Sequence, residues 1–207
     1  MSEERQQHWE GVYQGKEESE VSWYQECPDI SLQLIERAGI DTDAPLVDVG
    51  GGASVLVDNL LEKGFSRITV LDISSAALEC VRQRLADRAA EVEWRVSDIT
   101  RFEPDHTYAF WHDRAVFHFL TDESDRRRYI EVLKSALQEG GHLLLATFAL
   151  DGPEQCSGLP VERYDAKKMQ TVLGEAFSLL ESRREHHTTP VGKEQRFTYA
   201  LFRYLPE

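Results

Sequence analysis

Leu46-Val47-Asp48-Val49-Gly50-Gly51-Gly52-Ala53-Ser54 reads as a short apolar strand that breaks into a glycine turn. Val55, Leu56, Leu60 and Leu61 follow on one face of a helix that Gly64 closes. Working outward, the same strand, turn and helix unit repeats. Ile68 to Leu71 is a strand, Ser74 or Ser75 caps a helix, and Leu78, Val81 and Leu85 are its buried stripe. Val92, Trp94 and Val96 alternate as a third strand ending at Asp98, and Tyr108 to Trp111 is a fourth. Asp122 opens a helix carrying Tyr129, Leu133, Ala136 and Leu137 until Gly140-Gly141 ends it, and Leu143 to Ala149 is a fifth strand. Upstream, Ile30, Leu34 and Ala38 recur at helical spacing until Gly39 and Asp41-Thr42-Asp43. Strands alternating with helices imply an α/β doubly wound sheet, mostly parallel with right-handed crossovers.

The end of the chain breaks the pattern. After a helix carrying Met169, Val172 and Leu173 come two strand-like runs, Phe177 to Glu185 and Phe197 to Tyr204. The link from His186 to Arg196, with Pro190 and Gly192, is too short to hold a helix, so these strands are expected as an antiparallel C-terminal hairpin. No linker or repeat divides the chain, and 1–207 reads as a single domain.

Of 207 residues, 41% are hydrophobic, enough for a core. The 23 Lys plus Arg against 37 Asp plus Glu leave a net charge of −14, which opposes binding to nucleic acid. The run Arg126-Arg127-Arg128 falls in a helical pattern and reads as a solvated face. Cys27, Cys80 and Cys156 are odd in number and lack metal-ligand spacing, so neither a disulfide framework nor a metal site is expected, and a reducing, cytoplasmic setting fits. Met1 to Glu20 has no apolar stretch, and no apolar run approaches the ~20 residues that span a bilayer, so no membrane partner is expected.

In such a sheet a ligand binds outside the carboxyl ends of the strands, here Asp48 to Ser54, Asp72, Asp98 and Trp111 to Phe119. Glycines at 50, 51 and 52 let backbone approach a ligand, although glycine turns also serve merely to reverse a chain. Asp72, 20 positions after Gly52, is placed to accept from both hydroxyls of an adenosine ribose, or else to cap the next helix. Asp98, after the third strand, is placed to accept from an adenine amino group while Ile99 covers the ring.

These segments resemble the class I, Rossmann-like S-adenosylmethionine-dependent methyltransferases. Val47-Asp48-Val49-Gly50-Gly51-Gly52, Leu71-Asp72-Ile73-Ser74, Ser97-Asp98-Ile99 and Leu137-Gln138-Glu139-Gly140-Gly141 carry the resemblance. It implies S-adenosylmethionine as cofactor and S-adenosylhomocysteine as product. By the same resemblance the glycines flank the methionine part, Asp72 with Ile73 the ribose, and Asp98 with Ile99 the adenine. Asp48 orients the loop or reaches the amino group. Ser54 replaces a third glycine, and Ala109 stands where many members carry an aspartate.

On the acceptor side, Trp111 to Phe119 contains the candidate catalytic residues His112, Asp113 and His118, with His112 also facing the cofactor; a core histidine and a structural ion pair are the alternatives. Trp9, Tyr13, Trp23 and Tyr24 place four aromatics in an otherwise polar stretch. They either pack on the surface or form a lid, residues 1–27, over the site, and a sulfonium rewards aromatic faces. Cys156, Arg163 and Tyr164 lie in the 151–164 loop expected to select the acceptor, between the 45–150 core and the 165–207 helix and hairpin. The leading expectation is methyl transfer to a small-molecule acceptor, with a protein lysine as the runner-up. A nicotinamide-dependent oxidoreductase is disfavoured by Asp98 and the hairpin, and a non-catalytic cofactor-binding protein stays open. The acceptor atom and the oligomeric state are not legible in the sequence.

Overall fold

The computed structural model of the chain describes residues 2–15 and 21–206. Its elements follow the order α1 (Ser2–Gln14), α2 (Asp29–Ala38), β1 (Leu46–Val49), α3 (Leu56–Glu62), β2 (Ile68–Asp72), α4 (Ser75–Leu85) and β3 (Val92–Val96). Then come β4 (Tyr108–Arg114), α5 (Glu123–Ala136), β5 (Leu137–Phe148), the short β6 (Gln155–Cys156) and β7 (Leu159–Pro160), α6 (Ala166–Leu173), β8 (Phe177–Thr188) and β9 (Glu194–Tyr204). One seven-stranded sheet runs in the order β3-β2-β1-β4-β5-β9-β8, parallel through β5 and antiparallel at β9 and β8.

Side-chain alternation along the strands builds two apolar layers. Leu46, Val70, Phe110 and Leu144 face α2, α3 and α4 through Leu34, Leu60 and Val81. Val47, Leu71, Trp111 and Leu145 face α5 and α6 through Tyr129, Leu133 and Met169. β1 and β2 are buried along their whole length, as a covered parallel sheet requires. Local signals close the helices: Ser74 Oγ accepts from the Ala77 N–H at the start of α4, and Gly39 ends α2 at φ 65°.

Three boundaries differ from the sequence reading. α5 stops at Ala136 rather than at Gly140-Gly141, because Leu137 already pairs with Tyr108 in β5. β4 continues three residues past Trp111 to Arg114, with His112, Asp113 and Arg114 paired to Leu144, Leu145 and Ala146. Polar side chains survive there because buried partners wait on both faces. The hairpin strands also run closer together than expected, turning through 189–193 with Gly192 at φ 78°.

Candidate functional site

The carboxyl ends of β1 to β4 converge on a cavity of about 90 Å³. Its floor is made by Gly50, Asp72, Ile73, Asp98, Ile99 and the turn after β4, and its roof by Arg5, Trp9, Tyr13 and Trp23. An apolar cavity that takes a benzene measures roughly 150 Å³. Roof and floor therefore stand close together.

The glycine turn makes the floor. Gly50 sits at φ 69°, donates to the Leu71 carbonyl at 2.7 Å, and has Val116 Cγ2 only 2.0 Å from where a Cβ would stand. A Cβ on Gly52, at φ 27°, would meet Tyr13 Oη at 2.7 Å and Asp72 Oδ2 at 2.8 Å. Asp72 Oδ1 accepts from the Ser74 N–H at 2.8 Å. Burial pushes the Asp72 carboxyl up to about 7, against backbone donors at Ser74, Gly52 and Ile73 that pull it down. Asp98 Oδ1 accepts from Thr100 through N–H (2.9 Å) and Oγ1 (2.8 Å), and its Oδ2 accepts from Arg5 at 3.3 Å.

Most of the roof is α1, held by contacts on either side of Trp9. Arg5 bridges Asp98 and, at 2.5 Å, Asp125. The Glu10 carboxylate caps α4, accepting from Ser74 Oγ (3.1 Å), Ser75 N–H (2.7 Å), Ser75 Oγ (2.9 Å) and Ala76 N–H (3.1 Å). Between these anchors Trp9 meets Phe119 edge-on at 5.0 Å and Trp23 at 5.6 Å. Tyr13 is half-buried beside Asp72, and desolvation first, then that neighbouring charge, lift its hydroxyl well above the ordinary range. Trp9, Tyr13, Trp23 and Cys156 thus share the cavity wall, while Tyr24 lines a second, smaller space.

Several expected acceptor residues lie elsewhere. Asp113 is fully buried behind the wall: its Oδ1 accepts from the Val116 and Phe117 N–H groups at 2.9 and 3.3 Å, and its Oδ2 from Tyr129 at 2.7 Å. Burial raises it to about 6 against those donors, and its role in this geometry is to hold the turn after β4. His118 is fully buried against Phe119 and Phe148; burial, then Arg114, lowers it to about 3, and its Nδ1 accepts from the Phe148 N–H at 3.3 Å. Neither forms the expected floor, because β4 carries the chain past them before it turns. Tyr164 packs under Phe117, and Arg163 ties down its own loop through Gly152 O at 3.1 Å and Glu154 at 2.9 Å, so neither reaches the cavity. His112 points the other way, toward Asp48 and Ser31, in the second space.

The sequence reading missed Arg5, Glu10 and Ala115. No local pattern marks Arg5 or Glu10, whose partners are 93 and 65 positions away. Ala115 lines the cavity at φ 74°, a strained setting for a residue with a Cβ, where β4 hands over to the Val116 turn.

Comparison with known proteins places this geometry. Residues 46–141 match the methyltransferase domain family. The malonyl-[acyl-carrier protein] O-methyltransferase 1 of Ilyobacter polytropus is 28% identical over 104 residues, covering 50% of this chain and 37% of that protein. The EEF1A lysine methyltransferase 2 of Mus musculus is 22% identical over 159 residues, covering 68% of this chain and 64% of that one. The chain thus spans less than two thirds of these relatives. Among solved structures, the S-adenosylmethionine-dependent methyltransferase of Anabaena variabilis superposes with a TM-score of 0.74 at 17% identity, covering 96% of this chain and 94% of the other. Residues 46–141, a little under half of the chain, thus match a methyltransferase domain, and the fold around them is that of the class I, Rossmann-like methyltransferases that use S-adenosylmethionine.

The residues present fit that cofactor. At Gly50 bare backbone lines the cavity, because a Cβ there would strike Val116, and Asp48 Oδ2 is a buried acceptor with no hydrogen-bond partner at the base of the turn.

Proposed function

We propose that the chain transfers the methyl group of S-adenosylmethionine to a small-molecule acceptor enclosed beneath α1. The observation that carries this reading is the aromatic roof: Trp9, Trp23 and Phe119 meet edge-on above the glycine turn and narrow the cavity there to about 90 Å³. Bound there, the cofactor supplies a methyl already activated on a sulfonium. Gly50 to Gly52 bring backbone against it, Asp72 accepts from the ribose, and Asp98 with Ile99 meets the adenine. Trp9 and Trp23 exclude water and offer π faces to positive charge. Alignment and desolvation are the protein's main contributions. Cys156 lines the same cavity.

A second reading, methylation of a protein lysine, draws on the likeness to lysine methyltransferases among the relatives. Incubation with labelled cofactor separates the two. A metabolite panel of thiols, amines, phenols and carboxylates is expected to yield labelled product. Label appearing only in lysate protein would favour the lysine reading.

A further inference from the structure

Arg5, on α1, spans two buried carboxylates at one end of the cavity. Its Nη1 reaches Asp98 Oδ2 at 3.3 Å and Oδ1 at 3.5 Å, and its Nη2 donates to Asp125 Oδ2 at 2.5 Å. Both acids are nearly inaccessible to solvent, at 9% and 4% exposure. Asp125 lies in the first turn of α5, outside the motifs in the sequence, and the cofactor reading gives it no task. A charge-assisted N–H···O bond is about 2.7–2.9 Å long, so the arm on Asp125 is tight and the arm on Asp98 is slack.

That arrangement bears on the donor, because Asp98 is the acid assigned to the adenine amino group. Asp98 Oδ1 already accepts twice from Thr100, at 2.9 and 2.8 Å, and Oδ2 is the oxygen nearer the guanidinium. Arg5, Asp98 and Ile99 line one wall of the cavity, so an adenine that reaches Asp98 from inside meets the guanidinium first. The other end of α1 comes equally close to the second acid: Tyr13 Oη and Asp72 Oδ2 lie 2.7 and 2.8 Å from the one point that a Cβ on Gly52 would take. The space between helix and floor is about 90 Å³, against ~300–1,000 Å³ for pockets that enclose a drug-sized ligand, so α1 must lift before the donor enters. An uncharged amino group takes a carboxylate from a guanidinium only if the guanidinium keeps another anion, and Asp125 is that anion.

We infer that Arg5 is a latch on the donor site: it holds Asp98 until the donor binds, then yields Asp98 to the adenine amino group and keeps Asp125, so that α1 closes again over a loaded site. Asp125 is a positioning residue, which keeps the guanidinium paired and the helix anchored while Asp98 changes partner. The adenine amino group in turn satisfies a carboxylate that would otherwise be left buried and unpaired. The inference rests on the cofactor reading above.

Stopped-flow tryptophan fluorescence, with Trp9 and Trp23 in the roof and S-adenosylhomocysteine as the ligand, tests it. Arg5→Ala removes the competitor and should bind about tenfold more tightly, with the gain in the association rate. Glu10→Ala frees α1 from α4 and leaves Asp98 held, so it should gain far less. Asp125→Asn takes away the charge that keeps Arg5, and association should slow several-fold. Unchanged or weaker binding in Arg5→Ala would overturn the inference, since the guanidinium would then be idle or part of the adenine contact. An equal gain in Glu10→Ala would overturn it too, because loosening of the helix would be the whole effect, and so would association in Asp125→Asn at or above the wild-type rate. If the wild-type protein did not bind S-adenosylhomocysteine at all, the cofactor reading itself would fail.

Discussion

Asp72 carries the sharpest test at the scale of one residue. Burial raises its pKa to about 7 in the folded protein, against about 3.9 for an unfolded aspartate. The folded state therefore holds a proton that the unfolded chain lacks between those values. From Asp72 alone, stability is full below about pH 4 and is lost as pH rises through about 7. Ribose hydroxyls donate, so binding selects the carboxylate. Affinity for S-adenosylhomocysteine is expected to rise as pH goes from about 6 to about 8, with proton release visible as a dependence of the binding heat on buffer. Asp72→Asn should flatten that profile and cost about 1.5–3 kcal/mol of affinity at the alkaline end. A profile unchanged in the variant would remove Asp72 from the site. Gly50→Ala sets a Cβ into Val116 Cγ2 at a positive φ, so ligand binding should vanish with the fold retained by circular dichroism. Adding Val116→Ala should restore part of the binding, because it removes the atom that is struck. Equal loss in single and double variants would place the damage in the backbone alone. The places of these two residues at the carboxyl ends of β1 and β2 were legible because a glycine turn and an acidic residue close apolar strand runs there.

Elements were legible where the period was regular and illegible where distant partners decided them. β1, β2 and α4 follow directly from their apolar stripes and the Ser74 cap. The end of β4 does not, since His112 and Asp113 look like loop residues until Asp48, Ser31 and Tyr129 are seen around them. α1 is the stronger case: its aromatics suggested a cover, but the helix and its two clasps rest on contacts across the chain. Hydrogen bonds from Ser75, Ala76 and Ser74 outweigh partial burial and hold Glu10 below the ordinary carboxyl range. A depressed carboxyl contributes stability that is lost as pH falls through its folded pKa, so α1 should loosen on acidification. Glu10→Ala with Arg5→Ala should mimic this at neutral pH, seen as faster amide exchange confined to residues 2–14. Deleting residues 1–23 should lower turnover by orders of magnitude while the sheet stays folded and some cofactor affinity remains. Full turnover in the truncated protein would reduce the aromatics to surface packing.

At the scale of the whole molecule, the net charge of −14 distinguishes the two faces of the reaction. S-adenosylmethionine carries one net positive charge, from a sulfonium and an ammonium against a carboxylate, whereas S-adenosylhomocysteine is a neutral zwitterion. A strongly anionic chain attracts the first from a distance and has no such pull on the second. The field that aids capture of the donor thus lets the spent product leave unhindered. This attraction is long-ranged, so salt weakens it: the screening length falls from about 30 Å at about 10 mM to about 8 Å at about 150 mM. Stopped-flow association of S-adenosylmethionine should therefore slow several-fold across that range, and that of S-adenosylhomocysteine should hardly change. The contrast is informative because both ligands pass the same α1 roof and meet the same glycine turn, so any effect of salt on opening the roof appears equally in both. An equal change in both rates would assign the salt dependence to the opening of the α1 roof through the Arg5 and Glu10 clasps, and the field of the molecule would then play no part in choosing the donor.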